Sequence, residues 1–200
     1  METDRQIDLL RRALDVPAGP SSDFDLNPAF ALPEGRKLRP AGVLVAFQPG
    51  PNGLDLLLTK RSSHLKHHPG QIAFPGGKVD PGDADEVAAA LREAHEEVGL
   101  DPANVQVLGT LPAHETVTGF TVTPVLALIR APFQPVPEPG EVDEVFLTPF
   151  SHVTNPVRFN IEGRRWRGQR RLYYAVPYGP YYIWGATARM LRGLAERVNG

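Results

Sequence analysis

The segment from Asp85 to Gly99 constrains this chain most, because it reads as a helix that stacks acid on one sector. At about 100° per residue, Glu86, Glu93 and Glu97 fall within roughly 40° of one another, and Glu96 sits about 60° to the other side of Glu93. Val87, Leu91, Ala94 and Val98 gather on another sector that can face a core. Ala89 and Ala90 add no bulk, and Gly99 is a natural helix stop. Like charges at i, i+4 repel, and no Lys or Arg is expected at i+4 to neutralise these. Such a face needs either open water or a cation. Hard divalent ions such as Mg²⁺ take carboxylate oxygens and keep positions open for substrate phosphates, and the glycines and tight turn before the helix favour that second use.

Composition narrows what surrounds this helix. In 200 residues there is no cysteine, which excludes disulfide scaffolds, thiolate zinc sites and cysteine nucleophiles. A formal charge of −2 argues against a general electrostatic nucleic-acid binder. Gly (19) and Pro (21) make up a fifth of the chain and promise long irregular connections rather than disorder. No stretch approaches the roughly 18 uninterrupted apolar residues of a membrane span, and no apolar segment follows the charged N-terminus. A cytoplasmic protein with no membrane partner is expected.

Periodicity gives a single mixed α/β domain over residues 1–200. A short amphipathic helix covers residues 4–14, and Pro17, Pro20, Pro28, Pro33 and Pro40 then mark an extended arm to about residue 40. Ala41–Phe47 and Leu54–Lys60 read as a hairpin, with a further short strand at 71–74. Strands are expected at 104–111, 120–130 and 142–147, a hairpin at 157–176 and a final helix at 183–198.

Two blocks around the acidic helix resemble a known family. Gly77 followed by Arg92-Glu93-Ala94-His95-Glu96-Glu97-Val98-Gly99-Leu100 resembles the Nudix box, G-x5-E-x7-R-E-U-x-E-E-x-G-U, where U is aliphatic. The interval from Gly77 to Arg92 is one residue longer than the pattern. The early acid therefore falls to Asp83, Asp85 or Glu86, and the helical wheel favours Glu86. Upstream, Leu57-Leu58-Thr59-Lys60-Arg61-Ser62 and Gly70-Gln71-Ile72-Ala73-Phe74-Pro75-Gly76-Gly77 resemble the motif of coenzyme A pyrophosphatases, with Lys66 where that motif has Arg.

The resemblance implies an α/β/α sandwich with a mixed sheet and a loop–helix–loop catalytic motif. It also implies hydrolysis of a small nucleoside diphosphate derivative with Mg²⁺ or Mn²⁺. For the upstream motif the substrate would be coenzyme A, giving 3′,5′-ADP and 4′-phosphopantetheine. The alternatives are another substrate (ADP-ribose, NADH, a dinucleoside polyphosphate) or a silent module that binds nucleotides or RNA. Carried over, Glu93, Glu97 and Glu96 are metal ligands, with Arg92, Glu96 and Glu97 in catalytic roles. Arg92 would orient the glutamates by ion pairing. Glu96 and Glu115 are the candidate general bases. Arg61, Lys66, Phe74, Gly76 and Gly77 form the substrate-binding set.

Three other features need a reading. His64, His67 and His68 fall in a loop without thiolate companions, which suits solvated or substrate-proximal histidines better than zinc. Ser62 and Ser63 lack a nucleophile elbow. The segment 158–171 holds Arg158, Arg164, Arg165, Arg167, Arg170 and Arg171 among Phe159, Trp166, Tyr173 and Tyr174, and reads either as an exposed hairpin or as a phosphate or RNA contact. For the 3′-phosphate, Arg61 is the expected main contact, Lys66 assists, and this hairpin is at most peripheral.

Overall fold

The computed structural model describes residues 1–30, 35–166 and 168–200, so Pro33 of the arm and Arg167 of the hairpin lie outside the described residues. In chain order the elements are α1 (Glu2–Asp15), β1 (Ser21–Ser22), β2 (Arg39–Gly50), β3 (Gly53–Arg61), β4 (Ile72–Ala73), β5 (Gly76–Lys78) and α2 (Glu86–Val98). They continue with β6 (Val105–Thr110), β7 (His114–Glu115), β8 (Phe120–Ile129), β9 (Val142–Pro149), α3 (Phe150–Val153), β10 (Asn160–Trp166), β11 (Gln169–Ala175) and α4 (Gly185–Asn199).

The centre is a mixed sheet. β2 runs parallel to β8 and antiparallel to β3, while β9 lies outside β3 and β6 pairs with β8. Successive side chains of a strand point to opposite faces, and the apolar runs of β2, β3 and β8 bury both. Leu44, Ala46, Leu57, Val125, Ala127 and Ile129 pack with Ala90, Ala94 and Val98 of α2. Their neighbours Val45, Phe47, Leu56, Leu58, Leu126 and Leu128 pack with Leu10 of α1 and with Leu191 and Leu194 of α4. Each fully buried leucine of this kind contributes about 1.5–3 kcal/mol. The result is an α/β/α sandwich, as the sequence leads one to expect.

Two details reposition the chain relative to that expectation. The strand expected at 71–74 is β4 on β3, and a further strand, β5 on β2, follows it, with Pro75 between them accepting from the Leu44 N–H at 2.8 Å. This break moves Gly76 and Gly77 to β2, under the acidic helix. The arm is also partly paired, because β1 runs parallel to β7 and the fully buried His114 ring lies between Ser21 Oγ (2.9 Å) and the Asp23 carboxylate (3.2 Å). A helix boundary shift completes the picture: α1 extends to Glu2–Asp15, and Gln6 within it accepts from the Leu54 N–H at 2.6 Å.

Candidate active site

The acidic helix begins on a side-chain cap. Asp85 accepts from the Ala88 N–H at 2.8 Å, and Gly99 ends the helix with φ of 70°. Its sector of carboxylates faces β5. A Cβ on Gly77 would overlap the Glu93 carboxylate, so a side chain there would force that carboxylate to move. Gly76, with φ of 153°, donates its N–H to Glu97 Oε2 at 3.1 Å. Glu97 is buried, and burial pushes its carboxyl up to about 7 against the opposing pull of the Gly76 N–H and the Arg61 guanidinium. Burial also raises Glu93, opposed by Arg92.

The third acid at this place is not Glu96. Glu93, Glu97 and Glu141 bring carboxylate oxygens within 4.8 Å of one another. Glu96 stands outside that group with its side chain 56% exposed, bound by Arg92 Nη1 at 2.9 Å. This pair also corrects the expectation that the glutamates lack a cation at i+4. Glu141 arrives from the proline-rich loop before β9. That loop lies along the end of α2, with the Val136 and Glu138 N–H groups donating to Val98 and Glu97 carbonyls, both at 2.9 Å. The register of β9 then sets Val142 opposite Arg61 of β3, and Ser62 N–H donates to the Glu141 carbonyl at 2.8 Å. The sequence shows only a glutamate after Pro-Gly; its address comes from strand pairing.

Arg92 holds the acids in order. Asp83 takes Arg92 Nε and Nη2, both at 3.0 Å, while Nη1 reaches Glu93 at 3.1 Å as well as Glu96. This grip keeps the Asp83 carboxyl below the usual range and the guanidinium protonated. Of the three candidates for the early acid, Asp83 is the one bound to Arg92, not Glu86. The helical wheel misleads here because Asp83 lies in the loop before the helix. Glu115 of β7 is bound by Arg36 at 2.6 Å and lies outside the Glu93–Glu97–Glu141 group.

Arg61 joins this cluster to a cavity. Its Nη1 is 4.0 Å from Glu97 Oε1, and its side chain also lines a pocket of about 420 Å³ together with Phe74, His68, Tyr173 and Trp184. Lys66 is exposed and is not among the lining residues. His68, with φ of 54°, turns into the pocket instead. Arg164 and Arg171 of the arginine hairpin line the same cavity as Arg61.

Comparison with known proteins places this geometry. Residues 37–167 match the NUDIX domain family. The chain belongs to the Nudix family. A protein of Enterobacter sp. (strain 638), named an uncharacterized Nudix hydrolase, NudL, is 43% identical over 165 residues, covering 80% of this chain and 83% of that one. The Escherichia coli (strain K12) protein of the same name is 42% identical over the same shares. Among solved structures, the MutT/nudix family protein of Enterococcus faecalis matches 86% of this chain and 66% of its own with a TM-score of 0.50 at 18% identity, a likeness of fold.

As a Nudix hydrolase the protein is a pyrophosphohydrolase acting on a nucleoside diphosphate derivative. Nudix hydrolases generally use divalent metals, and the residues present fit such an ion. Three hard oxygen donors converge, one of them a buried glutamate whose charge is costly without a cation. No helix is long and apolar enough to cross a membrane among the described residues.

Proposed function

We propose that the protein hydrolyses the diphosphate bond of coenzyme A or its derivatives, releasing 3′,5′-ADP and 4′-phosphopantetheine, with Mg²⁺ or Mn²⁺ held by Glu93, Glu97 and Glu141. The observation that carries this reading is Arg61. It belongs to the segment that resembles the coenzyme A pyrophosphatase motif, and it stands between the carboxylate cluster and a cavity that suits the rest of a nucleotide. From that place its fork of N–H donors grips the diphosphate bidentately, a nearer task than the 3′-phosphate contact expected from sequence.

A divalent ion held by Glu93, Glu97 and Glu141 would supply charge neutralisation at the diphosphate and activation of the attacking water. Arg92 fixes Glu93 and Glu96 through one guanidinium, itself anchored on Asp83. Gly76 N–H fixes Glu97. Glu96, open to solvent on the same helix, takes the proton as the water oxygen bonds to phosphorus and the bridging P–O bond breaks. Glu115 is paired with an arginine as Glu96 is, but it sits on β7 rather than on the helix that carries the cluster, which favours Glu96 for this step.

The test is an assay of purified protein with Mg²⁺ on coenzyme A, ADP-ribose, NADH and a dinucleoside polyphosphate, with products separated by chromatography. Coenzyme A should give 3′,5′-ADP and 4′-phosphopantetheine at the highest kcat/KM of the panel. Equal or faster turnover of ADP-ribose would remove the substrate assignment and leave the reaction class intact.

A further inference from the structure

The pocket beyond Arg61 is built like a nucleotide seat. Its apolar lining includes Phe74 from the sheet, Tyr173 from β11 and Trp184 just before α4. Tyr173 meets Trp184 edge to face, with ring centroids 5.1 Å apart. Aromatic rings in a lining give a nucleobase an apolar surface to pack on, and about 420 Å³ falls within the size range of small-molecule sites.

The charges on this wall are unequally committed. Asp23 is bound to His114 and accepts from the Val117 N–H at 2.8 Å. Arg61 faces Glu97. Arg171 lies over the Phe24 and Phe30 rings, at 5.3 and 5.0 Å. Arg164 differs: its guanidinium lies 4.5 Å from the centre of the Trp184 ring, and no carboxylate pairs with it among the described residues. A guanidinium attracted to an indole face still has N–H donors to offer an anion. In a chain of net charge −2, an anionic substituent needs such a local cation.

We propose that this pocket receives the purine nucleoside half of the substrate and that Arg164, laid on Trp184, contacts a phosphate carried by its ribose. This rests on the coenzyme A reading above and extends it. It makes the β10–β11 hairpin part of substrate selection, with Arg61 at the diphosphate and Arg164 at the 3′-phosphate.

The test is calorimetric binding of 3′,5′-ADP and 5′-AMP to wild type, Arg164→Ala and Arg164→Lys, beside a coenzyme A turnover assay of wild type. Arg164 is exposed on the hairpin, and melting temperatures confirm that each variant is folded. Wild type should bind 3′,5′-ADP at least about tenfold more tightly than 5′-AMP, as a charge-assisted contact requires. Arg164→Ala should remove about tenfold of that preference and leave 5′-AMP binding unchanged, while Arg164→Lys keeps part of it. No preference in wild type, or an equal loss for both nucleotides, or no loss in Arg164→Ala, overturns the proposal. If coenzyme A is not hydrolysed but the Arg164-dependent preference holds, the pocket assignment stands and the reaction reading falls.

Discussion

Glu97 combines burial with a carboxylate that metal binding requires to be ionised. Its carboxyl is pushed up to about 7 in the folded chain, against about 4.3 for an unperturbed glutamate. The folded state therefore holds a proton that the unfolded state has released. The stability this supplies is complete below about pH 4.3 and is lost as pH rises to about 7, an effect on the order of 4 kcal/mol at most. Glu97→Gln keeps an oxygen for the Gly76 N–H and removes the titration. Without metal, the variant should melt above wild type at pH 8, match it near pH 4, and show a flatter pH dependence in calorimetry. Adding Mg²⁺ should raise the melting temperature of wild type by mass action and leave the variant unmoved. Turnover should fall by at least about a hundredfold. A variant that stays active refutes the metal role of Glu97. Glu93, Glu97 and Arg92 are readable from sequence because the helix that carries them is local. Glu141 is not, since a strand register places it, and Asp83 is readable only as one of three candidates, because the loop before the helix decides which acid meets Arg92.

At the scale of elements, the strands and helices with strong periodicity emerge from the sequence within a few residues. α2, α4, the β2–β3 hairpin and β10–β11 are all of this kind. What periodicity misses depends on distant partners: β1 exists because β7 lies beside it, and β4 separates from β5 because each pairs with a different strand. The two terminal helices lie outside the segment that matches the family, yet they cover one face of the sheet. Arg197 of α4 joins them. Buried, it donates from Nη1 to the Ala13 carbonyl at 2.9 Å and the Val16 carbonyl at 2.6 Å, at the end of α1. Burial lowers its pKa, so the two carbonyls must offset the cost of enclosing the charge. Arg197→Met leaves both carbonyls without that donor and should cost about 2–4 kcal/mol. In a chain of this length the melting temperature should drop by about 5–15 °C, with turnover of the folded enzyme unchanged. A loss under about 1 kcal/mol would mean that water replaces the arginine at both carbonyls.

Across the whole molecule, one sheet serves two sides. Its α2 face carries the acidic cluster, while the cavity is closed by residues of β11 and α4, far along the chain from the box helix. The sandwich is legible from the resemblance and the apolar runs. The meeting of the hairpin with Arg61 and Phe74 is not, because it follows from how α4 folds back against the sheet. The proline-rich loop shows what this architecture permits in the way of added chain. It is pinned to the end of α2 at Val136 and Glu138, and from there a short span reaches Glu141. Extra residues upstream of the pins can bulge into solvent, whereas extra residues downstream displace the acid from its two neighbours. A two-glycine insertion after Pro132 should thus leave Mg²⁺-dependent turnover within about threefold of wild type, and the same insertion after Pro139 should reduce it by at least about a hundredfold. Equal activity in the two insertions would show that Glu141 is dispensable. The loop has a side where length is free and a side where it is fixed, and that division sets which insertions a working enzyme of this architecture tolerates.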